Sequence, residues 1–193
     1  MNKNIIFSAV MVLIAVLFIA VMPTEAEGAV YEDTVRLHIL AESDSAEDQA
    51  VKIALRDAVL FEFGARLRAK ESADGARQEL ALSVDEIEDF CQAEIARLGY
   101  SGTVSVTLIE EWYETREYGD FTLPAGVYTS LKIVIGKGEG QNWWCVMYPP
   151  MCLDVALSDE AADRYTDEER VLISGNGYRA KFKILELISS AFS

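Results

Sequence analysis

Histidine occurs once, at His38, and cysteine three times, at Cys91, Cys145 and Cys152, in a chain of 193 residues. A structural zinc site needs four nitrogen or sulfur ligands and a catalytic one three plus water, so this supply hardly allows either. Cys145 and Cys152 are separated by six residues, which excludes a Cys-x-x-Cys redox pair. A serine or cysteine hydrolase of the usual kind must route its base through His38. No Asp-Thr-Gly or Asp-Ser-Gly triplet is present to suggest an aspartic protease. The glycine-rich GKGEG (136–140) lacks the Gly-Lys-Ser/Thr ending of a phosphate loop and leads into a strand instead of a helix N-terminus. Basic residues are scarce too: 17 against 32 acidic, a net charge of −15. A surface of that sign repels phosphate backbones and anionic lipid, which argues against a nucleic-acid partner.

What the chain does have is an apolar run, IIFSAVMVLIAVLFIAVM, from Ile5 to Met22. As a helix it would reach about 27 Å, close to a hydrocarbon core. Lys3 precedes it and Glu25, Glu27, Glu32 and Asp33 follow it, the polarity of a segment that sends the remainder across the membrane. Small residues around Ala26 and Gly28 suit signal cleavage, while the length of the run also suits an uncleaved anchor. The sequence therefore divides into residues 1–26, a signal peptide or membrane anchor, and residues 30–193, one exported domain large enough to close its own core.

Within that domain VRLHIL (35–40) alternates as a strand, with Val35, Leu37 and Ile39 on one face and Arg36 and His38 on the other. Ser45 and Asp48 open a helix to about Ala69. Its periodicity places Val51, Ala54, Leu55, Ala58, Phe61 and Ala65 on one face, and Ile53, Leu60 and Leu67 on a second stripe. Glu71 to Gly75 breaks the pattern, and the polar, alanine-rich stretch from there to Leu82 reads as helical or loose. Ser83 to Glu86 reads as a capping box opening a second helix, which places Val84, Ile87, Phe90, Cys91, Ile95 and Leu98 on one side and stops at Gly99. Three strands follow, at 103–113, 126–136 and 142–148, with GKGEGQ as a wide hairpin loop between the last two. The acidic stretch after Cys152 reads as surface helix or loop, GNGY (175–178) as a turn and KFKILELISSAF as an amphipathic close. The expected fold is α+β, helices packed on a mostly antiparallel sheet behind the N-terminal segment.

Two features remain as candidate sites. An oxidising compartment permits a Cys145–Cys152 disulfide across the turn at Pro149–Pro150, worth about 2.5 kcal/mol for an eight-residue loop; two buried free thiols are the alternative. Trp112, Trp143 and Trp144 are the candidate partner-binding residues, since tryptophan concentrates at interface hot spots. Trp143 and Trp144, adjacent on a strand, must point to opposite sheet faces, so one leaves the core or a second layer covers it. His38, facing away from Val35, Leu37 and Ile39, reads as a half-buried structural residue.

VRLHILAESDSAEDQAVKIALRDAV (35–59) and PAGVYTSLKIVIGKGEGQNWWCVMYPPMC (124–152) closely resemble the stage II sporulation protein R family of endospore-forming bacteria. The Trp-Trp-Cys-x-Met-x-Pro-Pro-x-Cys ending is the most specific part. The resemblance implies a messenger without catalytic residues, cofactor or metal. It would be exported from the forespore into the space between forespore and mother cell. There it would activate a membrane-embedded aspartic protease that processes the precursor of an early mother-cell sigma factor. The rival expectations are an envelope or cell-wall binding module and, behind it, an exported hydrolase.

Overall fold

The strand at Val35–Leu40 (β1) is buried along almost its whole length, because it lies inside a sheet that is covered on both faces. The computed structural model describes residues 3–118, 121–151 and 163–174. Helices Lys3–Val21 (α1), Glu25–Glu32 (α2), Ala46–Arg68 (α3) and Ala73–Arg97 (α4) are joined by strands Val104–Tyr113 (β2), Arg116–Tyr118 (β3), Phe121–Leu123 (β4), Gly126–Ile135 (β5) and Asn142–Tyr148 (β6). Helix Asp167–Ser174 (α5) completes the described elements. Cys152, the turn at 175–178 and the closing amphipathic segment lie outside the described residues.

The fold is α+β, with a four-stranded sheet in the order β2-β5-β1-β6 and a separate β3–β4 hairpin. The sheet is mixed: β1 runs parallel to β5 and antiparallel to β6, while β2 and β5 pair antiparallel. One face packs on α3 and α4 through Val35, Leu37, Ile39, Leu131, Ile133, Val106 and Cys145. The other face packs on α2, α5 and the β3–β4 hairpin through Tyr113, Tyr128, Val146, Val30, Leu123 and Ile173. Both helices of this second layer open on a Thr-x-x-Glu capping box, Thr24 with Glu27 and Thr166 with Glu169, each side chain bonding the other's backbone N–H. The Ala26 and Gly28 junctions fall inside α2.

α1 exposes apolar side chains along its length. The side chains of Leu17, Ala20 and Val21 are outside the description, and among the described residues no helix is long and apolar enough to cross a membrane.

Three sequence expectations are corrected. GKGEGQ is not a hairpin loop, because β1 lies between β5 and β6. The loop instead crosses the end of β1 and clamps the segment after it. Glu42 accepts from Lys137 N at 2.8 Å, Asp44 from Gln141 N at 2.7 Å, and Gly140 N donates to Ala41 O at 2.9 Å. The glycines are there for contact: a Cβ on Gly136, at φ +57°, would collide with the Glu42 carboxylate. Secondly, α4 runs unbroken from an N-cap at Ser72, whose side chain accepts from Gly75 N at 3.2 Å. Ser83 is buried in mid-helix, because the stripe Ala73, Ala76, Leu80, Ser83, Ile87, Cys91, Ile95 continues straight through it. Thirdly, α3 buries Val51, Leu55, Val59 and Phe63 with Leu60 and Leu67, whereas Phe61 is 84% exposed. At about 100° per residue Phe61 sits roughly 80° from Val51 on the side away from Phe63. The Ser45 cap is as expected, accepting from Asp48 N at 3.1 Å.

Candidate functional site

Because side chains alternate along a strand, the residues between the first-face apolar positions must meet on the second face. There the register brings Arg36 and His38 of β1 beside Ser130 and Lys132 of β5. Glu111 and Tyr113 of β2 arrive opposite Tyr128 and Gly126, and Trp144 of β6 opposite His38. The result is a polar, aromatic band beneath the β3–β4 hairpin.

His38 Nδ1 donates to Glu111 Oε2 at 2.7 Å, since an ionised carboxylate can only accept. Its Nε2 lies 2.9 Å from Asn142 Oδ1. Lys132 Nζ donates to Glu111 Oε1 at 2.8 Å and Tyr113 OH to Oε2 at 3.4 Å. Tyr113 and Ser130 share a hydrogen bond of 2.7 Å and both are buried. Trp144 stacks with the His38 ring, 5.5 Å between centroids at 25°, and carries the Arg116 guanidinium 3.7 Å from its own centroid. Arg36 is fully buried over Tyr113, and its Nη2 donates to Tyr118 OH at 2.5 Å.

Chemically, this arrangement orders a surface. Both imidazole nitrogens are engaged, so neither is free to take a proton from a nucleophile. Among the described residues no group of three His, Cys, Asp or Glu side chains could hold a metal ion. Cys91 is a free thiol in the first core, where burial pushes its pKa up to about 12 and keeps it in the unreactive protonated form. Cys145 carries a disulfide, and Cys152, the other member of the expected pair, lies outside the described residues.

Glu111 is the electrostatic hinge of the band. Burial pushes its carboxyl up, but the hydrogen bonds from Lys132 and His38 outweigh burial and hold its pKa below the usual carboxylate value. A depressed folded pKa contributes stability that is fully present above the unfolded value, about 4.3, and is lost as pH falls through the folded one. Glu111→Gln should therefore lower stability at pH 7 and flatten its decline below about pH 4.3. Urea midpoints measured from pH 7 to pH 2 check this; parallel acid limbs for both proteins would contradict it.

The three tryptophans do not share one surface. Trp112 is on the edge strand β2 and the other pair on the opposite edge strand β6, three strand spacings or about 14 Å away. Trp143 packs against the first core under Arg56, 4.4 Å from its centroid, and its indole Nε1 is buried without a hydrogen-bond partner among the described residues. Trp144 is half-buried in the band. Trp112 is 37% exposed, beside its register partner Val127 at 48%. Sequence reasoning did not single out Glu111, Lys132, Asn142, Arg36 or Arg116 as site residues. The polar parity of β1 and β5 carried a signal for Arg36 and Lys132, but which of Glu110 and Glu111 joins them depends on a long-range register.

The comparisons with known proteins bear on this geometry. The family model described as stage II sporulation protein R matches residues 31–157, from α2 through β6. The chain belongs to the stage II sporulation protein R family. A relative named stage II sporulation protein R from Bacillus subtilis (strain 168) is 34% identical over 138 residues, covering 72% of this chain and 62% of the relative. The chain thus matches less than two thirds of that relative's length. No solved structure matches it. Family membership supports a role in sporulation, and the matched region contains the whole sheet and its polar band.

Proposed function

We propose that this chain is an exported sporulation signal that activates a membrane-embedded aspartic protease and so brings about processing of an early mother-cell sigma factor precursor. The observation that carries the reading is the family match across residues 31–157. The apolar Ile5–Met22 run supports delivery across the cytoplasmic membrane, as signal peptide or anchor, into the space between forespore and mother cell. The chain contributes binding and no chemistry of its own, a reading favoured by a sole histidine bonded through both ring nitrogens.

An activator of this kind works by binding one state of the protease better than another. A hundredfold shift in the active fraction needs a differential affinity of about 2.7 kcal/mol, within reach of one well-placed aromatic hot spot. Trp112 is the tryptophan best placed to supply it, being the most exposed of the three and seated on a sheet edge with which no described strand pairs. Co-expression of the chain with the protease and the sigma precursor should give cleavage, and omission of the chain should abolish it. Equal cleavage in both strains would overturn the reading. Sedimentation of the chain with purified peptidoglycan in place of cleavage would favour the envelope-binding alternative.

A further inference from the structure

β2 is an edge strand whose outward backbone groups are treated differently along its length. Its odd-numbered positions face β5, since Gly136 N donates to Thr103 O at 2.7 Å and the register continues from there. Its even-numbered positions therefore direct their N–H and C=O groups away from the sheet. Two of these N–H groups are capped by helix α4: Val104 N donates to Gln92 Oε1 at 3.0 Å and Val106 N to Glu88 Oε2 at 2.8 Å. Gln92 and Glu88 are one helical turn apart, and the next position on that row is Val84, which has no acceptor and packs on the first core. The capping stops there. Leu108, Glu110 and Trp112 continue the same outward row, and among the described residues no strand pairs with it.

We propose that Leu108–Trp112 is a docking edge for an extended segment of a partner protein, added antiparallel to β2, with an apolar residue opposite Trp112 and a lysine or arginine opposite Glu110. Strand addition of this kind draws affinity from the main chain and specificity from alternate side chains. Five residues of strand, about 17 Å, present three outward N–H and three outward C=O groups to the incoming segment. Trp112 and Val127 supply the exposed apolar contact, and Glu110, Glu114 and Glu117 are all exposed acids near the open end.

Charge selects the occupant. A second copy pairing through the same three open positions about a two-fold axis would set Glu110 against Glu110, and like charges directly opposite destabilise a strand pair. Each copy also carries a net charge of −15. A basic, alternating segment meets neither obstacle. Solvent-exposed edges are ordinarily blunted by charge or cover, and among the described residues the cover is applied to one half only. The inference deepens the reading of the chain as a protein ligand and rests on that reading only for the partner's identity.

The test is amide exchange on the full chain in micelles, with the blocked peptide Thr-Ile-Thr-Lys-Thr-Ile-Thr as probe. At peptide concentrations about 100-fold above Kd, exchange at Leu108, Glu110 and Trp112 should slow about 100-fold. Glu110→Pro removes one outward N–H at a position that β5 does not use, so it should abolish that protection while the far-ultraviolet spectrum stays native. Glu110→Lys should transfer the preference to a probe carrying Glu in place of Lys. Binding that leaves the three amides unchanged, no binding at millimolar peptide, or protection produced by self-association without peptide would each overturn the proposal. The cleavage assay separates the two readings: wild-type chain that fails to trigger cleavage removes the protease reading and leaves the peptide result standing. Wild-type activity undiminished in Glu110→Pro removes the docking edge from that activation.

Discussion

Trp144→Ala is expected to lower the stability of the folded chain by about 3 kcal/mol, the low end of the range for a tryptophan truncated in a packed site. The indole stacks with His38 and lies under the Arg116 guanidinium, so truncation removes a stacked pair and a cation–π contact at once. Losses follow in the rest of the band, because the His38 ring loses its packing partner while still bridging Asn142 and Glu111. For a domain of this size the midpoint of thermal unfolding should fall by roughly 6–12 °C. Trp112→Ala provides the contrast. Its indole is more than a third exposed at an edge, so the fold should lose under about 1 kcal/mol, whereas partner binding should weaken about 30-fold, a hot-spot effect of 2 kcal/mol. Thermal melts of both variants, set beside a cleavage assay, check the pair. A Trp144→Ala melt within 2 °C of wild type would refute the packing role, and unchanged cleavage with Trp112→Ala would remove that side chain from the interface.

That contrast was only half legible in the sequence. Adjacent positions on a strand dictate that Trp143 and Trp144 face opposite ways, and they do, each packing against a different core cluster. What covers the second face was not legible, because α2 and α5 are eight-residue helices whose apolar content is small. Their signature lay in two short capping boxes, TEAE and TDEE; the first sat where small residues suggested signal cleavage, and the second inside an acidic stretch read as surface helix or loop, not as part of a second core. Strands β2, β5 and β6 were placed to within a residue, since alternation is a local property. Which strands pair is not local. Val35 to Leu40 lies between β5 and β6 by contacts spanning some hundred residues, and nothing within GKGEGQ announces that the loop crosses another strand.

The site was less legible than the fold for the same reason. The run TLIEEWY offers two adjacent glutamates, and only the register of β2 on β5 sends Glu111 towards Lys132 and His38 while leaving Glu110 in solvent. On α3, likewise, Phe61 and Phe63 differ by two positions and about 200° of helix azimuth. A slight misplacement of the buried arc exchanges an exposed ring for a core one. Periodicity fixes spacing well and phase poorly.

Arg36→Met is expected to raise stability, by about 1–4 kcal/mol, the gain seen when buried charges give way to apolar residues of similar volume. Arg36 has no exposed surface and no carboxylate partner among the described residues. Among the described residues its Nε and Nη1 are buried without a hydrogen-bond partner, and each such donor carries a desolvation cost of about 1–3 kcal/mol. Against this stand one hydrogen bond to Tyr118 and the rings of Tyr113, Tyr128 and Tyr118, at 3.8, 5.0 and 5.7 Å from the guanidinium carbon. Cation–π contacts reach about 2 kcal/mol each only at close range, and of the three rings Tyr113 alone is that near. They therefore offset part of the several kcal/mol that burying the charge itself adds to the two orphaned donors. Methionine has the length and polarisability to occupy the same slot against the aromatic faces, with no donor to satisfy. Arg36→Ala should instead destabilise, because it leaves the slot empty. In the methionine variant the β3–β4 hairpin loses its Tyr118 tether to the sheet, so amide exchange at Phe121 to Leu123 should accelerate even as the global urea midpoint rises. A midpoint that falls with methionine in place would mean that the tyrosine rings outweigh the full cost of burying the guanidinium.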